Sequence, residues 1–492
     1  MTEFVQQISD DWRAVNWPQV ERTVFRLQQR IYRASQRGDD RTVKSLQRLL
    51  SKSWSARMLA VRRVTQENKG KKTAGVDGIA SLKAPERTEL AKNLTLDKTA
   101  EPVRRVLIPK PGKSEYRKLG IPTMRDRAKQ ALAKLALEPQ WEALFAPNSY
   151  GFRPGRSPQD ALEQVHRCIC QKPKWVLDAD IAACFDKIAH GPLVARLSQS
   201  HPSIARQCKA WLKAGVLDNG QIQLTQRGTP QGGVISPLLA NIALHGLESL
   251  VKTTIKGVHM VRFADDFVVF HHDREAIFKA QTLICQWLSS KGLELRADKT
   301  RIVHTLNGGA EYSTGFDFLG CHVRQYRTRR RRINKSQRPY KNLIKPSKAS
   351  LKRLVTKLRE IVKRHRGCSQ EALIGALNPV IVGWANYHRS NVASRVFARL
   401  DSVLHWQLRR WAKRRHPNQG QKWVKARYWH TVGRRNWVFG VKQAGTVTCK
   451  LMQFSDKSIK RHNKVRGHKS WYDGDWAYWA SRRGKHPMIN IR

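Results

Sequence analysis

The stretch Met260–His271, M-V-R-F-A-D-D-F-V-V-F-H, sets two β-favouring apolar runs on either side of an acid pair. Met260–Phe263 and Phe267–Phe270 suit the arms of a hairpin, which leaves Asp265 and Asp266 at its tip. Adjacent carboxylates repel, and keeping both ionised at neutral pH requires a cation, so a divalent metal site is expected there. An acid-rich surface turn carries the same local signature. The flanking chain has to separate the two.

Upstream, W-V-L-D-A-D-I-A-A-C-F-D (Trp175–Asp186) begins as a buried strand and ends in a turn. Asp178 and Asp180 lie two apart and so share a strand face. An acid at the end of a central strand is costly unless paired or metal-bound, and Asp180 with Asp265 and Asp266 would complete a two-metal cluster of the kind that serves phosphoryl transfer. Between them runs G-T-P-Q-G-G-V-I-S-P-L-L (Gly228–Leu239), a glycine-rich loop entering a helix expected to continue through Leu244 and Leu247. Glycines there permit close approach to a ligand, although turn chemistry explains them equally well. Earlier still, Val103–Pro122 reads as two strands joined at Pro-Gly, with Lys110, Lys113, Arg117 and Lys118 placed to close over a triphosphate or to guard a strand edge. Asp126–Leu144 has a helical period, and S-Y-G-F-R-P-G-R-S-P (Ser149–Pro158) reads as a rigid basic turn able to touch phosphates. Downstream, Glu275–Lys291 is an amphipathic helix, Gly292–His304 an edge-strand pattern carrying Lys299, and Gly315–Val323 a further strand pair. Helices mixed with short strands across residues 100–325 give an α+β domain on a largely antiparallel sheet.

The 492 residues are too many for one core, and they carry 93 Lys and Arg against 37 Asp and Glu, a formal charge of +56. Such a chain repels itself unless a polyanion is present, and nucleic acid is the expected partner. No apolar run is long enough for a membrane span, and the first 20 residues have no hydrophobic signal core, so a cytoplasmic protein without signal or transit peptide is expected. Eight cysteines without a CxxC pair fit that compartment. Residues 1 to about 65 are helical with basic outer faces, followed by the basic loop Asn68–Gly78. From Arg324 to Arg366 there are 18 Lys and Arg against the single acid Glu360, marking a boundary. Three helices follow, the second capped by Ser369 and interrupted at Pro379, as a small basic bundle. Beyond residue 420, Trp423, Trp429, Trp437, Trp471, Trp476 and Trp479 alternate with cations, a pattern suited to stacking on unpaired bases, with some of the rings expected in a small core.

In order, R-R-V-L-I-P-K-P-G, L-G-I-P, S-Y-G-F-R-P-G-R-S, D-A-D-I-A-A-C-F-D, G-T-P-Q-G-G-V-I-S-P-L-L-A-N, R-F-A-D-D and F-L-G make the chain resemble the bacterial group II intron-encoded reverse transcriptases, or maturases, over nearly its whole length. The resemblance implies a right-hand polymerase fold: a helical extension and basic loop at 1–100, fingers and palm with an antiparallel palm sheet at 101–325, an α-helical thumb or maturase domain at 326–418 and a basic, Trp-rich DNA-binding region at 419–492. It implies RNA-directed DNA polymerase activity, in which the protein binds its intron RNA, assists splicing and copies the intron into cDNA as part of a mobile element. Asp180, Asp265 and Asp266 match the ligands of two Mg²⁺ ions. Lys110 and Arg117 match contacts to the incoming dNTP, Phe185 the ring that excludes a ribose 2′ hydroxyl, Gln231 and Gly232 the loop under the nascent pair, and Lys299 a proton donor to pyrophosphate. RNA template with DNA primer, target DNA and dNTPs are the implied partners.

Two departures accompany the resemblance. Phe263 stands where most relatives carry Tyr. The segment Tyr472–Pro487 resembles the lead-in to a zinc-binding His-Asn-His endonuclease, yet no Cys or His pairs follow it, so second-strand cleavage is not expected of this sequence. A splicing cofactor with a vestigial polymerase site, and a reverse transcriptase of another bacterial retroelement lineage, are the competing readings.

Overall fold

The central helix of the first half, Met124–Leu144, is buried on nearly every side, its polar residues Asp126, Arg127, Lys129, Gln130, Gln140 and Glu142 included, so neighbouring elements have to wrap it and supply partners. Thr123 caps it by accepting from the Asp126 amide. In the computed structural model, which describes residues 12–68, 70–110, 115–328 and 339–483, helices Trp17–Gln36, Asp40–Lys52 and Trp54–Arg62 do the wrapping. Their buried glutamines tie them to the central helix through the amide nitrogens: Gln28 donates to the Leu135 carbonyl at 2.9 Å, and Gln47 to the Ala136 carbonyl at 3.2 Å and to Gln140 at 2.8 Å.

The chain groups into two compact units, the first comprising 12–161, 176–302 and 465–483 of the described residues. Its strands are β1 (Val103–Pro109), β2 (Tyr116–Ile121), β3 (Trp175–Asp180), β4 (Val216–Asp218), β5 (Gln221–Gln223), β6 (His259–Phe263), β7 (Asp266–His271) and, starting in it, β8 (Arg301–His304). One sheet has the order β2-β1-β4-β5 and the other β6-β7-β3-β8. The expected hairpins form in register, β1 with β2 from Arg104↔Ile121 to Pro109↔Tyr116 and β6 with β7 from His259↔Phe270 to Phe263↔Asp266. The first sheet departs from antiparallel order where β1 runs parallel to β4. Met260, Val261 and Phe267–Phe270 are fully buried, covered by helices Leu247–Thr254 and Arg274–Ser289. The helix after the glycine-rich loop is shorter than its sequence suggests. It spans Ser236–Ala243, and Gly246 at φ +99° starts a separate helix at Leu247, because a left-handed residue cannot continue a right-handed turn.

Residues 465–483 belong to this first unit rather than joining the other Trp-rich residues. Tyr472 stacks on Phe25 with centroids 6.1 Å apart and donates to Glu138 at 2.9 Å, while Arg482 pairs with the fully buried Asp160 at 2.8 Å.

In the second unit, 162–175 and 303–464, β9 (Phe316–Phe318), β10 (Cys321–Arg327) and β11 (Tyr340–Pro346) form an antiparallel sheet. Helices Lys348–Arg364, Gln370–His388 and Ser394–Arg415 make the expected bundle around Leu358, Leu373, Leu377, Ile381, Phe397 and Leu404. Ser369 caps the second helix as expected, but Pro379 does not interrupt it. The hydrogen bond Pro379 cannot make is outweighed by the burial of Leu373, Ile374, Leu377 and Ile381 on either side. The same core runs on through Tyr428, Trp429, Phe439 and Phe454, so the bundle and a small sheet of β12 (Trp429–Val432), β13 (Arg435–Gln443) and β14 (Thr446–Lys450) are packed as one body. The sequence reading missed that sheet and β11.

Candidate active site

β3 buries Val176, Leu177 and Ala179 and delivers Asp180 at its end. The β6–β7 hairpin closes through the two residues Ala264 and Asp265, with Ala264 at φ +60° and Asp266 opening β7 opposite Phe263. The Ile181 amide donates to the Asp265 carbonyl at 3.1 Å, which fastens the end of β3 to this turn. Asp180, Asp265 and Asp266 therefore share one electrostatic neighbourhood.

Their ionisation records that crowding. Burial, and then the carboxylates of Asp178, Asp180 and Asp265, push Asp266 up to about 8. Burial and Asp180 raise Asp265, against the opposing pull of Lys299 and Arg117. Lys299 Nζ meets Asp180 Oδ2 at 2.5 Å, and Arg301 Nε meets Asp178 Oδ2 at 2.9 Å. Lys299 sits in a turn ahead of β8 rather than on an edge strand, because its amide closes back onto the Arg296 carbonyl at 3.1 Å. Among the described residues no three His, Cys, Asp or Glu side chains already converge as a metal cage. What the site offers is a set of hard oxygen donors under mutual repulsion, the condition that a divalent cation relieves.

The basic turn Ser149–Pro158 has a different task from phosphate contact. Arg153 is buried, donating to Glu142 at 2.8 and 3.0 Å and to the carbonyls of Ala146 and Ser149 at 2.7 and 2.8 Å. Arg156 donates to the Pro147 carbonyl at 2.7 Å, and burial with Arg153 nearby lowers it to about 10. The turn instead props the acid hairpin. The Tyr150 amide donates to the Arg262 carbonyl at 2.9 Å and the Arg262 amide to the Asn148 carbonyl at 3.0 Å. Buried Arg262 then donates to the Ala264 carbonyl at 2.9 Å and to Asn241, which itself donates to the Gly151 carbonyl at 2.8 Å. A Cβ on Gly151 would strike the Ala264 backbone, 3.0 Å from its Cα. Neither Arg262 nor Gly151 was singled out from sequence; their positions inside R-F-A-D-D and S-Y-G-F-R were the available signal.

The glycine-rich loop lies against the β1–β2 hairpin. The Gly120 amide donates to the Gln231 carbonyl at 2.8 Å, and Gly232, at φ +128°, leaves no room for a Cβ, which would come 2.7 Å from the Gly120 oxygen. A cavity of about 260 Å³ gathers Phe185 and Gln231 with Arg105, Lys118, Arg227 and Asp186. Phe185 is braced edge-to-face by Phe152 at 6.0 Å, and its carbonyl accepts from the Thr229 amide at 2.6 Å. Burial raises Asp186, opposed by Arg105, Lys118 and Lys110. Lys110 pairs with Glu115 at 2.6 Å and Arg117 is exposed; neither lines this cavity, nor do Lys299, Gly232 or the three aspartates. Lys113 lies outside the described residues. Arg105, inside R-R-V-L-I-P-K-P-G, and Arg227, one residue before the glycine-rich loop, have no local pattern that marks them as lining this cavity.

A mixed α+β domain with acids at the end of a central strand and on a facing hairpin, followed by a helical region, defines a palm-type nucleotide polymerase. The family model for reverse transcriptase (RNA-dependent DNA polymerase) matches residues 108–323, that for the N-terminal domain of reverse transcriptase 12–94, and that for the group II intron maturase-specific domain 351–429. The chain is 31% identical to Protein YkfC of Escherichia coli (strain K12) over 330 residues, 58% of this chain and 84% of that one. It is 38% identical to the group II intron-encoded protein LtrA of Lactococcus lactis subsp. cremoris over 191 residues, 37% of this chain and 31% of LtrA. With Maturase-like protein 1 of Euglena gracilis the identity is 27% over 386 residues, 76% of each. The chain belongs to the group II intron reverse transcriptase/maturase family, RNA-directed DNA polymerases with a role in splicing, whose polymerase domain generally works with divalent metal ions.

Proposed function

We propose that Asp180, Asp265 and Asp266 form the polymerase centre, holding two Mg²⁺ ions, and that the chain copies its own intron RNA from a DNA primer into cDNA. The observation that carries this is the convergence of these carboxylates, the Asp265 turn being fastened to the end of β3: burial first, and then the charges of Asp178, Asp180 and Asp265, push Asp266 up to about 8, while Lys299 pairs with Asp180 at 2.5 Å. When bound, the ions would lower the pKa of the primer 3′ hydroxyl and neutralise charge on the leaving pyrophosphate. Lys299, half-exposed on Asp180, is the proposed proton donor to that pyrophosphate. Phe185, braced by Phe152, is proposed to reject a ribose 2′ hydroxyl, and Gln231 with Gly232 to floor the nascent pair. Lys110 and Arg117, on the β1–β2 hairpin, are proposed to meet the dNTP phosphates.

The proposed parts are a helical extension at 1–100, fingers and palm at 101–325, a thumb at 326–418 and a DNA-binding region for the target at 419–492. Among the described residues no helix is long and apolar enough to cross a membrane. A bacterial cytoplasmic location is proposed, consistent with eight free cysteines.

Primer extension on an RNA template with Mg²⁺ tests the centre. Wild-type protein is expected to make cDNA and Asp265→Asn to make less by about 10³-fold or more. No cDNA from wild type, or undiminished cDNA from Asp265→Asn, overturns the assignment.

A further inference from the structure

In the second unit the helix Ser394–Arg415 has a cavity on each flank. One, of about 480 Å³ against helix Lys348–Arg364, is lined by the cations Arg359, Lys363, Arg366, Arg410, Arg414 and Arg415 and by no acid. The other, of about 880 Å³ against helix Gln421–Tyr428 and β13, adds rings to its cations and again has no acidic lining. Arg410 and Arg414 line both.

The second cavity is built for flat ligands. Trp406 is 55% and Trp437 45% exposed, costly for indoles in a body that buries Trp411 and Trp429. Arg409 lies over the Trp406 ring at 5.3 Å and Lys425 over Trp437 at 4.1 Å. Trp437 is held at φ +66°, a strained backbone for an aromatic residue, where the β12–β13 register shifts between His430 and Val432. A bulge at this point re-aims the indole into the cavity. The first cavity has a fixed wall: Arg415 donates to the carbonyls of Arg366 and Cys368, both at 2.9 Å, and covers Trp411 at 4.7 Å.

We propose that an unpaired nucleic-acid strand straddles this helix, its phosphates in the cation-lined cavity and its bases on Trp406 and Trp437, with Arg410 and Arg414 bridging the two. A duplex hides its base faces, so rings beside a phosphate grip select the unpaired form. The inference rests on the reading of the chain as a nucleic-acid enzyme but concerns a surface of the second unit.

The test uses the full-length chain and fluorescent oligomers of about 12 nucleotides: an unstructured RNA, the same sequence as DNA, and the RNA duplex. Trp406→Ala with Trp437→Ala is expected to weaken the single-stranded RNA by about 10-fold or more and the duplex by less than about threefold. Trp406→Tyr with Trp437→Tyr should restore most of the loss. Arg410→Gln with Arg414→Gln should weaken single strand and duplex alike and flatten the salt slope by about 2. Equal binding of the DNA strand identifies the ligand as any unpaired strand, and weaker binding identifies a ribose contact; both support the site. Equal losses on duplex and single strand in the Trp variants, or no loss, overturn it. Should the double Ala variant fail to fold, Trp406→Ala alone, on an exposed helical face, carries the same comparison. Wild-type primer extension run in parallel keeps the questions apart, since its absence strikes the polymerase assignment and leaves this one standing.

Discussion

Arg153 and Glu142 meet as a two-pronged ion pair with both side chains only 1% exposed. Removing one partner of such a pair strands a buried charge, so Arg153→Ala is expected to cost about 3–5 kcal/mol in denaturant unfolding while leaving RNA affinity per folded molecule unchanged. A loss of affinity without loss of stability would restore the phosphate-binding role that its basic turn suggests. The turn's composition gives no depth, and the partner lies on a preceding helix, so sequence could not reveal this. The acids were legible for the opposite reason: an Asp at the end of an apolar strand is hard to explain without a site. Cys321, His388 and Asn391 teach a similar lesson. Asn391 donates to the Cys321 sulfur at 3.1 Å and His388 Nδ1 lies 3.7 Å from it, a set of residue types that elsewhere makes a nucleophile. Here burial pushes the thiol up to about 12 and the imidazole down to about 4, so thiolate is absent at neutral pH. Mass spectrometry after brief iodoacetamide treatment of native protein should find Cys321 unmodified while the part-exposed Cys170 and Cys368 react; rapid labelling of Cys321 would overturn the assignment as core.

At the scale of elements, the acid hairpin was readable because two apolar runs flank a short acidic break, although the tip is tighter than that pattern suggests, Ala264 and Asp265 closing it with Asp266 already in β7. Its support was not readable. The left-handed Ala264 is held from below by Arg262 and from the side by Gly151, whose missing Cβ is what lets Ser149–Pro158 lie against the turn. Gly151→Ala is expected to push the tip outward and lower primer extension by about 100-fold, since displacements near 1 Å at a reacting centre have that effect. Primer extension within threefold of wild type would mean the turn is not positioned this way. The helices of the bundle were legible from their stripes and from Ser369, whereas β11 to β14 were not. β13 buries Val438, Phe439 and Gly440 as one block between exposed ends, without the apolar alternation of a half-buried strand, and β14 turns Thr446, Thr448 and Lys450 outward with no fully buried residue between them, so their burial is set by what they pack against. Pro379 misled for a related reason, the local penalty being smaller than the tertiary gain.

At the scale of the whole molecule, charge governs the response to solution conditions. With +56 before any of its 17 histidines is protonated, acid adds to an existing self-repulsion. Buried His388 sharpens the effect: its folded value is about 4 against an ordinary 6.5, so between those pH values the unfolded chain binds more protons and stability falls as pH drops. The contribution is complete above 6.5 and lost toward 4. Thermal midpoints should decrease from pH 7.5 to 5, and a constant midpoint would contradict this. Salt has two effects of opposite sign. Added salt shortens the screening length to about 8 Å at 0.15 M and relieves repulsion in the free protein, so its thermal midpoint should rise. In the RNA complex the same cations neutralise phosphates and release counterions, so added salt opposes binding. With about 6–10 phosphates contacted, affinity should drop by about 10³- to 10⁵-fold between 50 and 200 mM salt. Measuring both on one preparation separates charge held for a polyanion from charge spread without purpose. A midpoint that rises while affinity stays flat would mean that the cations merely repel one another and that binding depends on the rings and the fold.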